Sequence, residues 1–180
     1  MEGLFPNARE PLDDLRRSLE QKPARIDNAF IELLSGYGED PRSILTTTAE
    51  IPEGSEHRGV VLTTDIPFVS MCPHHFLPFF GTVDLVYVPG SKILGLGKIP
   101  RLIRGRSRRL QIQEFLVRDL ANDLMEFGDA RWVSVRSRAK HLCICYRGPD
   151  EPATENVTTY SLGELPDHLL GWSWPVPNGS

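Results

Sequence analysis

The chain has only three cysteines among its 180 residues, an odd count that excludes a disulfide framework and points to a reducing compartment. It has no excess of basic charge either. Its 20 Lys and Arg stand against 24 Asp and Glu, a formal net charge of -4, which gives no reason to expect general nucleic-acid binding. No apolar run approaches the roughly 18 residues that a membrane span needs. The opening Met1-Glu2-Gly3-Leu4-Phe5-Pro6 lacks the charged-then-apolar order of a secretory signal, so a cytoplasmic location is expected. Internal repeats are absent as well. What is present, 40% hydrophobic and 24% charged residues, is the composition of one globular domain of ordinary size.

Leu12, Leu15 and Leu19 recur at helical spacing among charges, and Phe30, Leu33 and Leu34 repeat the pattern, which predicts helices over 10–21 and 28–36. The Gly- and Pro-bearing stretch from Gly36 to Pro41 ends the second, and 51–58 reads as loop. From Gly59 the character changes. β-Branched and aromatic residues over 60–64 and 79–88, followed by a Pro89-Gly90 turn, predict antiparallel strands. Pro100 suits the first turn of a helix, Gly105 weakens its middle, and Leu110, Phe115, Leu116, Leu120 and Leu124 give an apolar face, so a long, broken helix is expected up to Gly128. A second strand pair is expected over 132–138 and 141–147. Alternation along the latter would put His141, Cys143, Cys145 and Arg147 on one face, spaced by about 6.5 Å. Leu169, Leu170, Trp172 and Trp174 in the tail are expected to pack on the body or on a neighbour.

Chemistry concentrates in two places. Cys72-Pro73-His74-His75 is a Cys-x-x-His half-site between two strand-like runs, and His141-Leu142-Cys143-Ile144-Cys145 supplies thiols and an imidazole far along the chain. Thiolate and imidazole are ligand types that zinc favours, and three protein ligands with a spare imidazole on each side suit an open catalytic site and metal-assisted hydrolysis. A closed structural site is the alternative, with Cys145 or His74 as fourth ligand; otherwise Cys145 reads as a packing residue, and His57 and His168 as surface or packing residues. Residues 98–109 carry six basic side chains and no acid, a local anion site on an acidic background.

Together these segments resemble GTP cyclohydrolase I. The resemblance rests on the run from Asp65 to His75, on Gly95-Leu96-Gly97-Lys98, on Gln111-Ile112-Gln113-Glu114, and on His141-Leu142-Cys143 followed by Arg147-Gly148. It covers roughly 60–165, with a weaker echo over 33–42. It implies an α+β tunnelling fold, an antiparallel sheet with helices packed on one face and an N-terminal helical segment. The corresponding division is 1–58, a catalytic domain over 59–165, and a tail over 166–180. It also implies a homo-oligomer, commonly a decamer of two pentamers with active sites between subunits.

Carried over position by position, the resemblance makes Cys72, His75 and Cys143 the ligands of Zn2+. His74 and His141 become the catalytic proton carriers, Gln113 and Glu114 the guanine contacts, and Lys98, Arg101 and Arg147 the triphosphate contacts. The implied reaction opens the imidazole ring of GTP, releases formate and forms 7,8-dihydroneopterin triphosphate. Alternatives are a related cyclohydrolase that stops at a formamide or uses another purine nucleotide, and a non-catalytic nucleotide-binding member. The chain departs from the family pattern at Pro73, where Glu is usual, and at Gly97, where Ser is usual. Its region between Arg42 and Gly59 is too short for the family's long helix, and either Arg42 or Arg58 would be the upstream phosphate contact.

Overall fold

Two long strands account for the change of character at residue 60. In the structure, a computed structural model that describes residues 9–46, 48–52 and 59–175, β2 (Val61–Met71) and β3 (Pro78–Pro89) pair antiparallel as a hairpin. β5 (Ala130–His141) pairs with the far side of β3, and β6 (Asn156–Gly163) with β5, giving a four-stranded sheet in the order β2-β3-β5-β6. Ahead of the sheet lie α1 (Arg9–Gln21), α2 (Pro23–Leu33), a 3-10 turn at Ser35–Gly38, α3 (Pro41–Ile44) and the short β1 (Thr48–Glu50). β1 pairs with β4 (Lys92–Leu94), and α4 (Lys98–Ser107) and α5 (Gln113–Glu126) sit between β4 and β5 in the chain. His57 and Arg58 lie outside the described residues.

Period-2 alternation divides the sheet into two faces. Phe79, Val83, Leu85 and Tyr87 of β3, with Val133, Val135 and Ala139 of β5, bury themselves against Ile99, Leu102 and Ile103 of α4 and Leu116, Leu120 and Leu124 of α5. Fully burying such a side chain is worth roughly 1.5–3 kcal/mol, so this layer holds the fold together. On the other face Val86, Val88 and Trp132 are covered by Leu165 and by the tail residues Leu169, Trp172 and Trp174, which settles the tail on the body. Leu170 stays 71% exposed. The middle of that face carries a buried ion pair. Asp84, 1% exposed, accepts hydrogen bonds from Arg136 Nε at 2.9 Å and Nη2 at 2.7 Å, and Arg136 lies 4.8 Å over the Trp174 ring.

The helix expected to run to Gly128 is two helices. Their joint is built into the sheet, because Met71 N–H donates to Arg109 O at 3.3 Å and Gln111 N–H donates to Met71 O at 2.9 Å. This short parallel pairing ties the joint to the end of β2 and starts α5 there. The turn before α3 packs tightly on α4: a Cβ on Gly36 would collide with the Gly105 carbonyl oxygen, and a Cβ on Gly105 would lie 3.2 Å from Glu39 Cβ. The basic run is similarly absorbed in part. Arg106 forms a two-pronged pair with Asp123, and Arg109 donates to the carbonyls of Gly105 and Glu39 at 3.1 Å.

One expected strand is not there. β5 runs unbroken from Ala130 through His141, and Leu142–Cys145 is a helical turn, α6, so His141, Cys143, Cys145 and Arg147 do not share a strand face. The cause is the partner strand: β3 begins at Pro78, next to the Phe79 that pairs with His141, and leaves nothing for residue 142 onward to pair with. β6, which lies beyond the 141–147 segment, takes the fourth place in the sheet.

Candidate metal centre and adjoining site

The β2–β3 hairpin closes through Pro73–Phe76. Cys72 N–H donates to Leu77 O at 3.0 Å, and Phe76 N–H donates to Cys72 O at 2.9 Å, with Phe76 at φ 53°. Pro73 has no N–H to extend the ladder, and its ring keeps Cys72 extended. Cys72 is therefore buried under the turn while His74 and His75 project as exposed residues. On the other side of β3, α6 turns Cys143 inward. The ligand atoms of Cys72, His75 and Cys143 all lie within 4.8 Å of one another. At a Zn–S distance of about 2.3 Å, tetrahedral coordination separates two sulfurs by roughly 3.8 Å, so the trio needs only a small contraction to grip one ion.

Two thiols and one imidazole form a soft donor set suited to zinc. His74 Nδ1 approaches Cys72 Sγ at 3.7 Å and His75 Nδ1 approaches it at 3.8 Å, but among the described residues the group that includes both sulfurs contains His75. Cys145 is buried, at 2% exposure, and stands outside that group. Burial pushes the Cys143 thiol above the ordinary cysteine value, and the neighbouring Cys72 adds to the effect, against a weaker lowering by Arg147. A divalent cation between the two sulfurs would offset this by stabilising the Cys143 thiolate.

His141 ends β5 beside this trio. Its ring stacks on Phe79 with centroids 4.6 Å apart and planes within 3°, and its Nε2 lies 2.8 Å from Gln113 Oε1. Burial holds its pKa below the ordinary histidine value, and the charge of exposed Glu114 works weakly the other way. A neutral imidazole beside a metal centre is suited to moving protons near pH 7.

The structure thus gathers Cys72, His74, His75, Gln113, Glu114, His141 and Cys143 around one end of the sheet, with exposed Arg147 just past α6. Lys98 and Arg101 stand in the first turn of α4; among the described residues no hydrogen bond or ion pair joins them to this group. Phe79, Ser137 and Asn156 are site residues that motif reading missed. For Ser137 a signal existed, since it lies on the same strand face as His141, two alternations back.

Known proteins bear on this geometry. The family model described as GTP cyclohydrolase I matches residues 10–169, further toward the N-terminus than the motifs reach. The chain is similar to "GTP cyclohydrolase 1" of Campylobacter lari, 45% identical over 150 residues, covering 83% of this chain and 77% of that protein. The protein of the same name from Fusobacterium nucleatum is 38% identical over 165 residues, covering 91% of this chain and 86% of that one. A solved structure, that of the archaeosine synthase QueF-Like in the apo form, overlaps with a TM-score of 0.49 at 17% identity, covering 62% of this chain and 100% of that one, a likeness too slight to carry weight. With the family model spanning nearly its whole length, the chain belongs to the GTP cyclohydrolase I family.

Proposed function

We propose that this chain is a zinc-dependent GTP cyclohydrolase I, which opens the imidazole ring of GTP by hydrolysis, releases formate and forms 7,8-dihydroneopterin triphosphate. The observation that carries this reading is the meeting of Cys72, His75 and Cys143 in one group, with His141 and α5 beside it, in a chain of this family. Cys72, His75 and Cys143 would hold the zinc. Bound there, it supplies Lewis-acid activation of water at neutral pH.

The chain's own residues do the rest. His141, neutral and half-buried, handles a proton at the purine ring; His74, exposed on the hairpin turn, handles one nearer the ribose. Glu114, in the first turn of α5, forms the guanine end of the site, where its carboxylate accepts hydrogen bonds from the N–H groups that guanine offers and adenine does not; the buried Gln113 beside it, expected as a second guanine contact, faces His141 instead. Lys98, Arg101 and Arg147 take the triphosphate, Arg as a fork and Lys as a point charge.

Lys98 and Arg101 reach the phosphates from a neighbouring subunit in this reading, in a homo-oligomer, a decamer of two pentamers with sites between subunits. Three features support assembly. Among the described residues β2, up to its pairing with the α4–α5 joint at Met71, and β6 each present an outer edge with no partner strand, and Leu12, Leu15 and Leu19 of α1 leave an apolar stripe exposed. Residues 59–165 form the catalytic unit and 166–180 its tail, and the free cysteines suit the cytoplasm. Incubating zinc-loaded protein with GTP tests the reading. Formate and, after oxidation and dephosphorylation, a fluorescent pterin are expected; neither product would overturn it.

A further inference from the structure

Gln113 is 2% exposed, and its surroundings leave its amide a single orientation. The amide nitrogen lies 3.3 Å from Ser137 O, 2.8 Å from Ser137 Oγ and 3.0 Å from Asn156 O. Two of these partners are backbone carbonyls, which only accept, so the nitrogen must face them; the flipped amide would set oxygen against oxygen at both. Oε1 is thereby aimed at His141 Nε2, 2.8 Å away. A carbonyl oxygen can only accept there, so Nε2 must carry the proton. In neutral imidazole one nitrogen is protonated and the other is bare, which leaves Nδ1 bare. The parallel stack on Phe79 fixes the plane of the ring.

We infer that Gln113 is a positioning residue: anchored to the carbonyls of β5 and β6, it holds His141 as the Nε2–H tautomer and makes Nδ1 the nitrogen through which His141 exchanges protons with substrate. The last clause rests on the reading of His141 as a proton carrier in the cyclohydrolase reaction. The tautomer itself does not. Its source is a chain of hydrogen bonds that begins at two main-chain carbonyls and ends at the imidazole, so the sheet itself sets the identity of the reactive nitrogen. The same anchoring withdraws the Gln113 side chain from the substrate, since its donors and its acceptor are occupied inside the protein.

The test uses zinc-loaded, full-length protein with 15N-labelled histidine. In the wild type, the His141 ring nitrogens should show a protonated Nε2 and a bare Nδ1; a protonated Nδ1 with a bare Nε2 would overturn the assignment. Gln113→Met keeps the length of the side chain and removes the acceptor. It should give a mixture of tautomers and lower kcat by roughly 10–100-fold, with zinc content and the KM for GTP unchanged. An unchanged tautomer in this variant would contradict the inference, as would a raised KM at normal kcat, which would make Gln113 a substrate contact. Should Gln113→Met fail to fold or to load zinc, Ser137→Ala decides on the same readouts. It removes one acceptor of the Gln113 amide and should shift tautomer and kcat in the same direction by less, whereas no change in either would sink the idea. A wild type with the expected tautomer and no activity on GTP would instead refute the cyclohydrolase reading, so the two failures are distinguishable.

Discussion

Cys72 and Cys143 meet because β3 pairs with their two strands at adjacent residues: Pro78 with Met71, one place before Cys72, and Phe79 with His141, two places before Cys143. Strand register, more than loop conformation, brings the two halves of the metal group together.

Removing one sulfur should therefore remove the ion and spare the fold. Cys143→Ser is expected to lose stoichiometric zinc, measured by elemental analysis, while keeping its far-ultraviolet circular dichroism. Added zinc should raise the melting temperature of the wild type, because the ion binds the folded form, and leave that of the variant unmoved. A variant retaining one zinc per chain would show that Cys143 is not a ligand.

His141 should separate chemistry from metal binding. His141→Ala is expected to keep its zinc and to lose formate release by about 100- to 10,000-fold, the usual range for a general acid or base. Formate release at the wild-type rate would remove His141 from the mechanism.

The buried ion pair on the sheet predicts a large stability effect remote from the site. Asp84 is 1% exposed and bonds to Arg136, 14% exposed, and to the Asp65 N–H at 2.8 Å. Asp84→Ala would strand that guanidinium and is expected to cost about 3–5 kcal/mol in denaturant unfolding. A loss below about 1 kcal/mol, the value of an exposed pair, would mean that water reaches Arg136.

Alkaline stability should depend on Tyr87. Its side chain is buried, its oxygen accepts Leu94 N–H at 3.0 Å, and burial pushes the phenol above the ordinary tyrosine value, with the hydrogen bond opposing weakly. The folded state therefore holds this proton more tightly than the unfolded chain, whose tyrosine titrates near about 10. Below that pH the group makes stability pH-independent; above it the unfolded chain ionises first and stability falls. Unfolding measured from pH 8 to 11 should show this fall, and Tyr87→Phe should flatten it while lowering stability at pH 8 by about 1 kcal/mol for the lost hydrogen bond. Equal slopes in the two proteins would contradict the assignment.

How much of this was legible in the sequence varied with the physical origin of each feature. The strands β2 and β3 could be read because their β-branched and aromatic runs, and the Pro89-Gly90 turn that ends β3, are local signals. The Cys72-Pro73-His74-His75 half-site could be read because chelate spacing is local too. The 141–147 segment could not: Leu142, Ile144 and Tyr146 alternate as a strand should, yet the partner needed for pairing stops at Pro78, a fact of register that no local pattern carries. β6 was missed for a related reason. Its burial alternates because one face rests on α5 and β5 lies alongside, while the sequence there, Asn156-Val157-Thr158-Thr159-Tyr160, follows a stretch dense in Pro, Gly and acids that gives no strand signal. The hold of Ser137 and Asn156 on Gln113 joins three distant elements, and only the folded chain reveals it.

The most direct measurement is product mass from GTP, made on a preparation whose zinc per chain has been determined. One zinc per chain and a product of the mass of 7,8-dihydroneopterin triphosphate, with an equal amount of formate, are expected. Zinc-loaded protein that leaves GTP unchanged, or that yields a product still carrying the formyl carbon, would contradict the account.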